Sequence, residues 1–120
     1  MAHLIFVCNY RKQLLDKFGE SIKSIMHSLA EKNGFDIEEM EIDKDHIHLL
    51  VSYNPTQSIL DIVRLLKQIS TFQIWREHGN SSALKKHFWK EKTFWSDGYF
   101  ACSIGQISSE TIRKYIQTQG

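Results

Sequence analysis

The chain has 120 residues, 42% of them hydrophobic, with six glycines and one proline, which is typical of one folded domain spanning 1–120 and excludes a disordered chain. The net charge of +1 does not by itself indicate a polyanion partner. Residues 1–60 hold six Lys or Arg against nine Asp or Glu, and 61–120 hold nine against five, an asymmetry that only weakly favours such a partner. No membrane-length apolar run, no leader pattern and only two cysteines are present, so we expect a cytoplasmic protein with reduced thiols and no membrane partner.

The first segments predict a strand followed by an amphipathic helix. Residues 3–8 (HLIFVC) form a short apolar run that is typical of a strand. Apolar side chains recur at spacings of three and four over 14–30, which predicts a helix with one apolar face. Asn33 and Gly34 then end this helix.

A β-hairpin is predicted next. Residues 35–42 alternate roughly between apolar and polar side chains, and a slip in the alternation at 38–39 indicates a bulge. The acidic segment 43–45 (DKD) predicts a tight turn, and 46–53 (HIHLLVSY) predicts the return strand.

The second half predicts a further helix, a strand and a last helix. Ser58 and Asp61 resemble a capping box before apolar spacing that extends from 59 to 75, and 78–82 predict a loop. We expect a turn at 96–98 (SDG) and a strand at 99–104. We expect Ser108 to cap a C-terminal helix. One face of that helix carries Ile112, Tyr115, Ile116 and Gln119.

This order of elements predicts an α+β fold. The succession β-α-β-β-α-β matches a ferredoxin-like split βαβ sandwich, with one antiparallel sheet and two helices on one face. The additional C-terminal helix must pack on the other face, on the sheet edge or on a partner.

Two histidines share one face of the predicted return strand. Residues i and i+2 of a strand point the same way, so His46 and His48 lie together, opposite Ile47, Leu49 and Val51. They are either polar residues on a solvated face or two ligands of a metal site, which usually needs a third protein ligand. Leu50 follows on the histidine face, so we expect something to cover it.

The last helix brings Tyr115 and Gln119 to one face, because they are four residues apart. A tyrosine is a possible nucleophile and a glutamine oxygen a possible hard metal ligand, although core or boundary packing is the commoner role of a tyrosine on an amphipathic helix.

Together these motifs resemble a known family. The segments HLIFVCNYRKQLL (3–15), HIH (46–48), FWSDGYFACSIG (94–105) and YIQTQ (115–119) look like the single-tyrosine HUH transposases. These are the small TnpA enzymes of bacterial and archaeal insertion sequences that move as single-stranded DNA. The resemblance covers almost the whole chain, with the motifs in the family's order.

The resemblance implies a mechanism and its residues. His46 and His48 match the metal-binding pair, Gln119 the third ligand, and Tyr115 the nucleophile, with Mg²⁺ or Mn²⁺ as the metal and no nucleotide cofactor. It further implies cleavage and rejoining of single-stranded DNA through a 5′-phosphotyrosine, at hairpin ends of a mobile element, by a homodimer with Tyr115 acting in trans. The alternative is that the last helix folds back on its own sheet and the site is complete within one chain.

The DNA contacts follow only from charge. Candidates for a phosphate path are Arg11, Lys12, Lys67, Lys85, Lys86, Lys90 and Lys92. Three other functions stay open: an HUH relaxase or replication-initiator nickase, a two-histidine phosphoesterase, which lacks its second motif here, and a non-enzymatic ferredoxin-like module that binds nucleic acid or protein.

Overall fold

The computed structural model describes residues 1–79, Leu84 and 93–104, and their elements follow the predicted order. They are β1 (Ala2–Cys8), a 3-10 turn (Asn9–Arg11), α1 (Leu15–Asn33), β2 (Asp36–Ile42), β3 (His46–Ser52), α2 (Ile59–His78) and β4 (Trp95–Ser103). The sheet is antiparallel with the order β2-β3-β1-β4. The predicted α+β class and split βαβ arrangement are therefore confirmed, while the predicted C-terminal helix lies outside the described residues.

Strand β3 divides its side chains between two buried faces. Ile47, Leu49 and Val51 join apolar residues of both helices in the main core. Leu50 lies on the opposite face, is fully buried, and contacts Met1 and Ile104. The predicted division of the strand, and the predicted cover over Leu50, are both confirmed.

Local signals at the element ends have the predicted effects. Ser58 Oγ accepts a hydrogen bond from the backbone N–H of Asp61 at 3.0 Å, which caps α2. Gly34 ends α1 in the left-handed conformation, with φ of 73°, and its N–H bonds to the carbonyl of Ala30. The pairing of β2 with β3 shifts register between Ile37 and Glu39, which is the predicted bulge.

The turn predicted at 96–98 is wrong, because β4 continues through these residues. Phe6 pairs with Tyr99 and Cys8 with Trp95, so Val7 alone lies opposite three residues of β4, and the strand bulges there. Lys67 Nζ donates to the carbonyls of Ser96 at 2.7 Å and Asp97 at 3.1 Å, which satisfies groups that the bulge turns out of the ladder. Ser-Asp-Gly suits a bulge and a turn alike.

Helix α2 differs slightly from its predicted limit. Helix α2 continues to His78, the residue at which a loop was expected to begin. Neither helix among the described residues is long and apolar enough to span a membrane.

Candidate active site

The structure brings the two histidines of β3 together. Their ring centroids are 5.0 Å apart and their planes meet at 69°. His48 is only 3% exposed, and the side chain of His46 is 18% exposed. The pair therefore lies in a largely covered site on the sheet face opposite the helices, rather than on a solvated surface.

A carboxylate holds the ring of His46. His46 Nδ1 lies 2.7 Å from Asp45 Oδ1, and Arg11 Nε donates to Asp45 Oδ2 at 3.1 Å. The hydrogen bond from His46 and then the positive charge of Arg11 lower the pKa of Asp45, while burial opposes them. With Nδ1 occupied in this way, Nε2 is the nitrogen of His46 that remains for a ligand. Asp43 Oδ2 adds negative charge 3.9 Å from that Nε2.

The backbone before α1 aims Arg11 at this carboxylate. Tyr10 and Arg11 have φ of 58° and 52°, which is the left-handed region that side chains with Cβ rarely adopt. The side chain of Arg11 is 73% exposed, so a DNA contact by its remaining N–H groups stays a prediction. Its contact with Asp45 also places Arg11 beside the histidine pair, which charge alone did not predict.

His48 has a different neighbour, His3. His48 Nδ1 lies 3.3 Å from His3 Nε2, and His3 is 4% exposed. Burial, then the charges of His46 and His3, lower the pKa of His48 to about 4, and burial also lowers the pKa of His3. Sequence reasoning gave His3 no role, because its position depends on pairing between β1 and β3, in which His3 faces Leu50.

These groups fit part of a divalent metal site. Neutral imidazole nitrogens with Nδ1 already engaged are common metal ligands, and they suit Mn²⁺ better than Mg²⁺. Within 1–79, Leu84 and 93–104, no group of three or more His, Cys, Asp or Glu has the geometry to hold a metal ion. Among the described residues, His46 and His48 could thus supply two ligands, and a metal site there would need a third.

The remaining predicted site residues fall outside the described part of the chain. They are Tyr115, Gln119, Lys85, Lys86, Lys90 and Lys92. Lys12 is described and partly exposed at the end of the 3-10 turn. Lys67 is held on the two carbonyls of the β4 bulge, and burial lowers the pKa of its ammonium. Its part in DNA binding stays a prediction.

A groove between α2 and β4 was not foreseen from the sequence. It has a volume of about 600 Å³, and Arg64, Lys67 and Tyr99 are among its lining residues. Tyr99, on β4, is 42% exposed. Phe72, on α2 and close to Arg76, is 62% exposed. Exposed aromatic rings beside cations are typical of surfaces that bind single-stranded nucleic acid.

Comparisons with known proteins agree with this architecture. The ISDra2 transposase TnpA of Deinococcus radiodurans is 32% identical over 118 residues, covering 98% of this chain and 81% of that relative. The transposase for insertion sequence element IS200 of Salmonella typhimurium is 29% identical over 120 residues, covering 98% and 74%. Both are proteins to which this chain is similar over nearly its whole length.

Solved structures show the same fold. A crystal structure from Deinococcus radiodurans R1, described as a candidate transposase, aligns with a TM-score of 0.74 and 28% identity over 98% of this chain and 88% of that one. A REP-associated tyrosine transposase bound to a REP hairpin aligns with a TM-score of 0.63 and 15% identity over 96% and 61%. A family model described as Transposase IS200 like matches residues 1–119, and the chain therefore belongs to the family of IS200-like transposases.

Proposed function

We propose that this transposase cleaves and rejoins single-stranded DNA by transferring a phosphodiester to Tyr115, beside a divalent metal held by His46, His48 and Gln119. The observation that carries the proposal is the covered imidazole pair, in which each Nδ1 has a partner and each Nε2 remains for a ligand. Family membership supports DNA strand transfer in general.

In this mechanism the phenol oxygen of Tyr115 attacks the scissile phosphorus. The new bond joins that oxygen to the 5′ phosphate, the bond to the 3′ oxygen breaks, and the 3′ oxygen takes up a proton as the phenol loses one. A bound divalent cation would supply Lewis-acid polarisation of the phosphate. The phosphotyrosine conserves the bond energy, so rejoining needs no nucleotide cofactor, and a phenol with a pKa of about 10 needs assistance at neutral pH.

We propose that the DNA partner includes hairpin ends of a mobile element. The groove beside Arg64 and Tyr99 offers cations and an exposed ring for an unpaired strand. The REP-associated relative, which has the same fold, is bound to a hairpin.

We also propose a homodimer in which Tyr115 of one chain acts at the histidine pair of the other. Strand β4 is an edge strand of the described sheet, and its residues 97–103 are exposed. An edge strand with Tyr99 and Phe100 exposed is suited to pair with a second copy.

The test is incubation with single-stranded DNA that carries a hairpin, in Mn²⁺, followed by a denaturing gel for a covalent protein–DNA adduct. Wild type and the control Tyr53→Phe should form the adduct, and Tyr115→Phe should bind DNA without forming it, because only the nucleophilic oxygen is lost. An adduct with Tyr115→Phe would contradict the assignment of the nucleophile. DNA binding by wild type without any adduct would favour the non-enzymatic module.

A further inference from the structure

The buried contact between His3 and His48 has the geometry of an in-line hydrogen bond. Their ring centroids are 5.6 Å apart, their planes differ by 20°, and the facing nitrogens are 3.3 Å apart. The centroid separation exceeds the nitrogen separation by about twice the distance from a ring centroid to its nitrogen. A difference this large occurs only when both centroids and both facing nitrogens lie close to one line. The two rings are therefore nearly coplanar and point at each other, as an N–H···N bond requires, and are not stacked face to face.

Two neutral imidazoles in this arrangement share one proton between their facing nitrogens. If His48 Nδ1 carries that proton, it donates to His3 Nε2, and His48 Nε2 keeps a lone pair. If His3 Nε2 carries it, His48 Nδ1 accepts, and the proton of His48 moves to Nε2, where it blocks that nitrogen as a ligand. The protonation pattern of the pair therefore decides which nitrogen of His48 is available.

We propose that His3 is a positioning residue whose Nε2 accepts the Nδ1–H of His48 and so keeps His48 Nε2 free for the metal. The role in metal binding rests on the proposed function, whereas the position of the proton is a property of the metal-free protein. His3 lies on β1, in the interior of the sheet, and its ring also meets Phe100 edge-on with centroids 5.6 Å apart. These contacts hold the acceptor in place.

Burial explains why the two ligands have different partners. The carboxylate of Asp45 accepts a hydrogen bond from His46. Both side chains are 18% exposed there, and Arg11 supplies a positive charge. At His48, which is 3% exposed, an ionised carboxylate would have to be buried at high cost. A neutral imidazole provides an acceptor there without a charge.

The experiment uses the full chain with labelled histidine. Nitrogen-15 NMR of the metal-free protein, with a chelator present, identifies the protonated nitrogen of His48. A separate Mn²⁺ titration, followed by electron paramagnetic resonance, gives the affinity of the protein for Mn²⁺. We compare wild type with His3→Gln, whose amide oxygen can still accept, with His3→Leu, which cannot, and with His27→Leu as an exposed control on α1. Thermal unfolding checks that each variant is folded, and His3→Met replaces the leucine variant if that one is not.

Wild type, His27→Leu and His3→Gln should carry the proton on Nδ1 of His48. In His3→Leu the Nδ1–H preference should be lost and Mn²⁺ affinity should fall about 10- to 100-fold. A wild-type proton on Nε2, or unchanged tautomer and affinity in His3→Leu, would overturn the proposal. A wild type that has the Nδ1 proton but binds no Mn²⁺ would instead contradict the proposed metal function and leave the proton assignment standing.

Discussion

Acidification should destabilise the metal-free protein through the buried ring of His48. The pKa of His48 is lowered from 6.5 to about 4 in the folded chain. The unfolded state therefore binds more protons between these values, so the stability from the neutral ring is complete above pH 6.5 and is lost as pH falls towards 4. The full separation corresponds to about 3 kcal/mol, of which about 2 kcal/mol should be lost between pH 7 and pH 5.

This window is separate from that of Asp45. The pKa of Asp45 is lowered from 3.8, so its contribution is present above that value and is lost only at lower pH. Among the described residues, the titratable groups that face His48 are His3, His46 and Asp43, together with Glu41, its partner on β2. His3 also has a lowered pKa and adds to the loss in the same direction.

Urea denaturation in chelator at pH 7 and pH 5 measures the effect. His48→Gln removes the titrating ring, so wild type should lose about 2 kcal/mol more than this variant over the interval, and His27→Gln should behave as wild type. Equal losses in wild type and His48→Gln would refute the reasoning. So would a His48 ring that titrates in NMR with its midpoint above pH 6, because burial would then not hold it neutral.

Three further results are expected. His46→Ala with His48→Gln should abolish adduct formation in Mn²⁺ while the circular dichroism spectrum is kept, and full cleavage by this variant would remove the metal assignment. Lys67→Met should lower the free energy of unfolding by about 1 kcal/mol, more than exposed Arg64→Met does, since two carbonyls lose their donor. Mixing His46→Ala with Tyr115→Phe should restore partial cleavage after subunit exchange, and no recovery despite proven exchange would exclude action in trans.

The parts of the fold that the sequence predicts are those with local causes. The alternation of β3 depends only on neighbouring residues. The same is true of the cap at Ser58 and of the left-handed end of α1 at Gly34. These signals fix element types and order, and the order selects the split βαβ topology. The histidine pair belongs to the same class, because the period of a strand alone puts both rings on one face.

The parts that escaped prediction depend on contacts between distant segments. The course of β4 through Ser96–Gly98 depends on Lys67, which lies on α2. The partnership of His3 with His48 depends on the register of two strands that are 45 residues apart in sequence. Neither a motif nor a period contains this information.

That register ties the candidate site to the core. Strand β3 is hydrogen-bonded to β2 on one side and to β1 on the other, which fixes the backbone of His46 and His48. The orientation of each ring is then set by the partner of its Nδ1. The partner of His46 is the preceding residue, Asp45, so that contact is local in sequence. The partner of His48 lies across the strand pair, and a one-residue slip of β1 would turn His3 towards the helices and take Leu4 out of the main core. The packing energy that keeps Leu4 in the core therefore also keeps His3 in contact with His48.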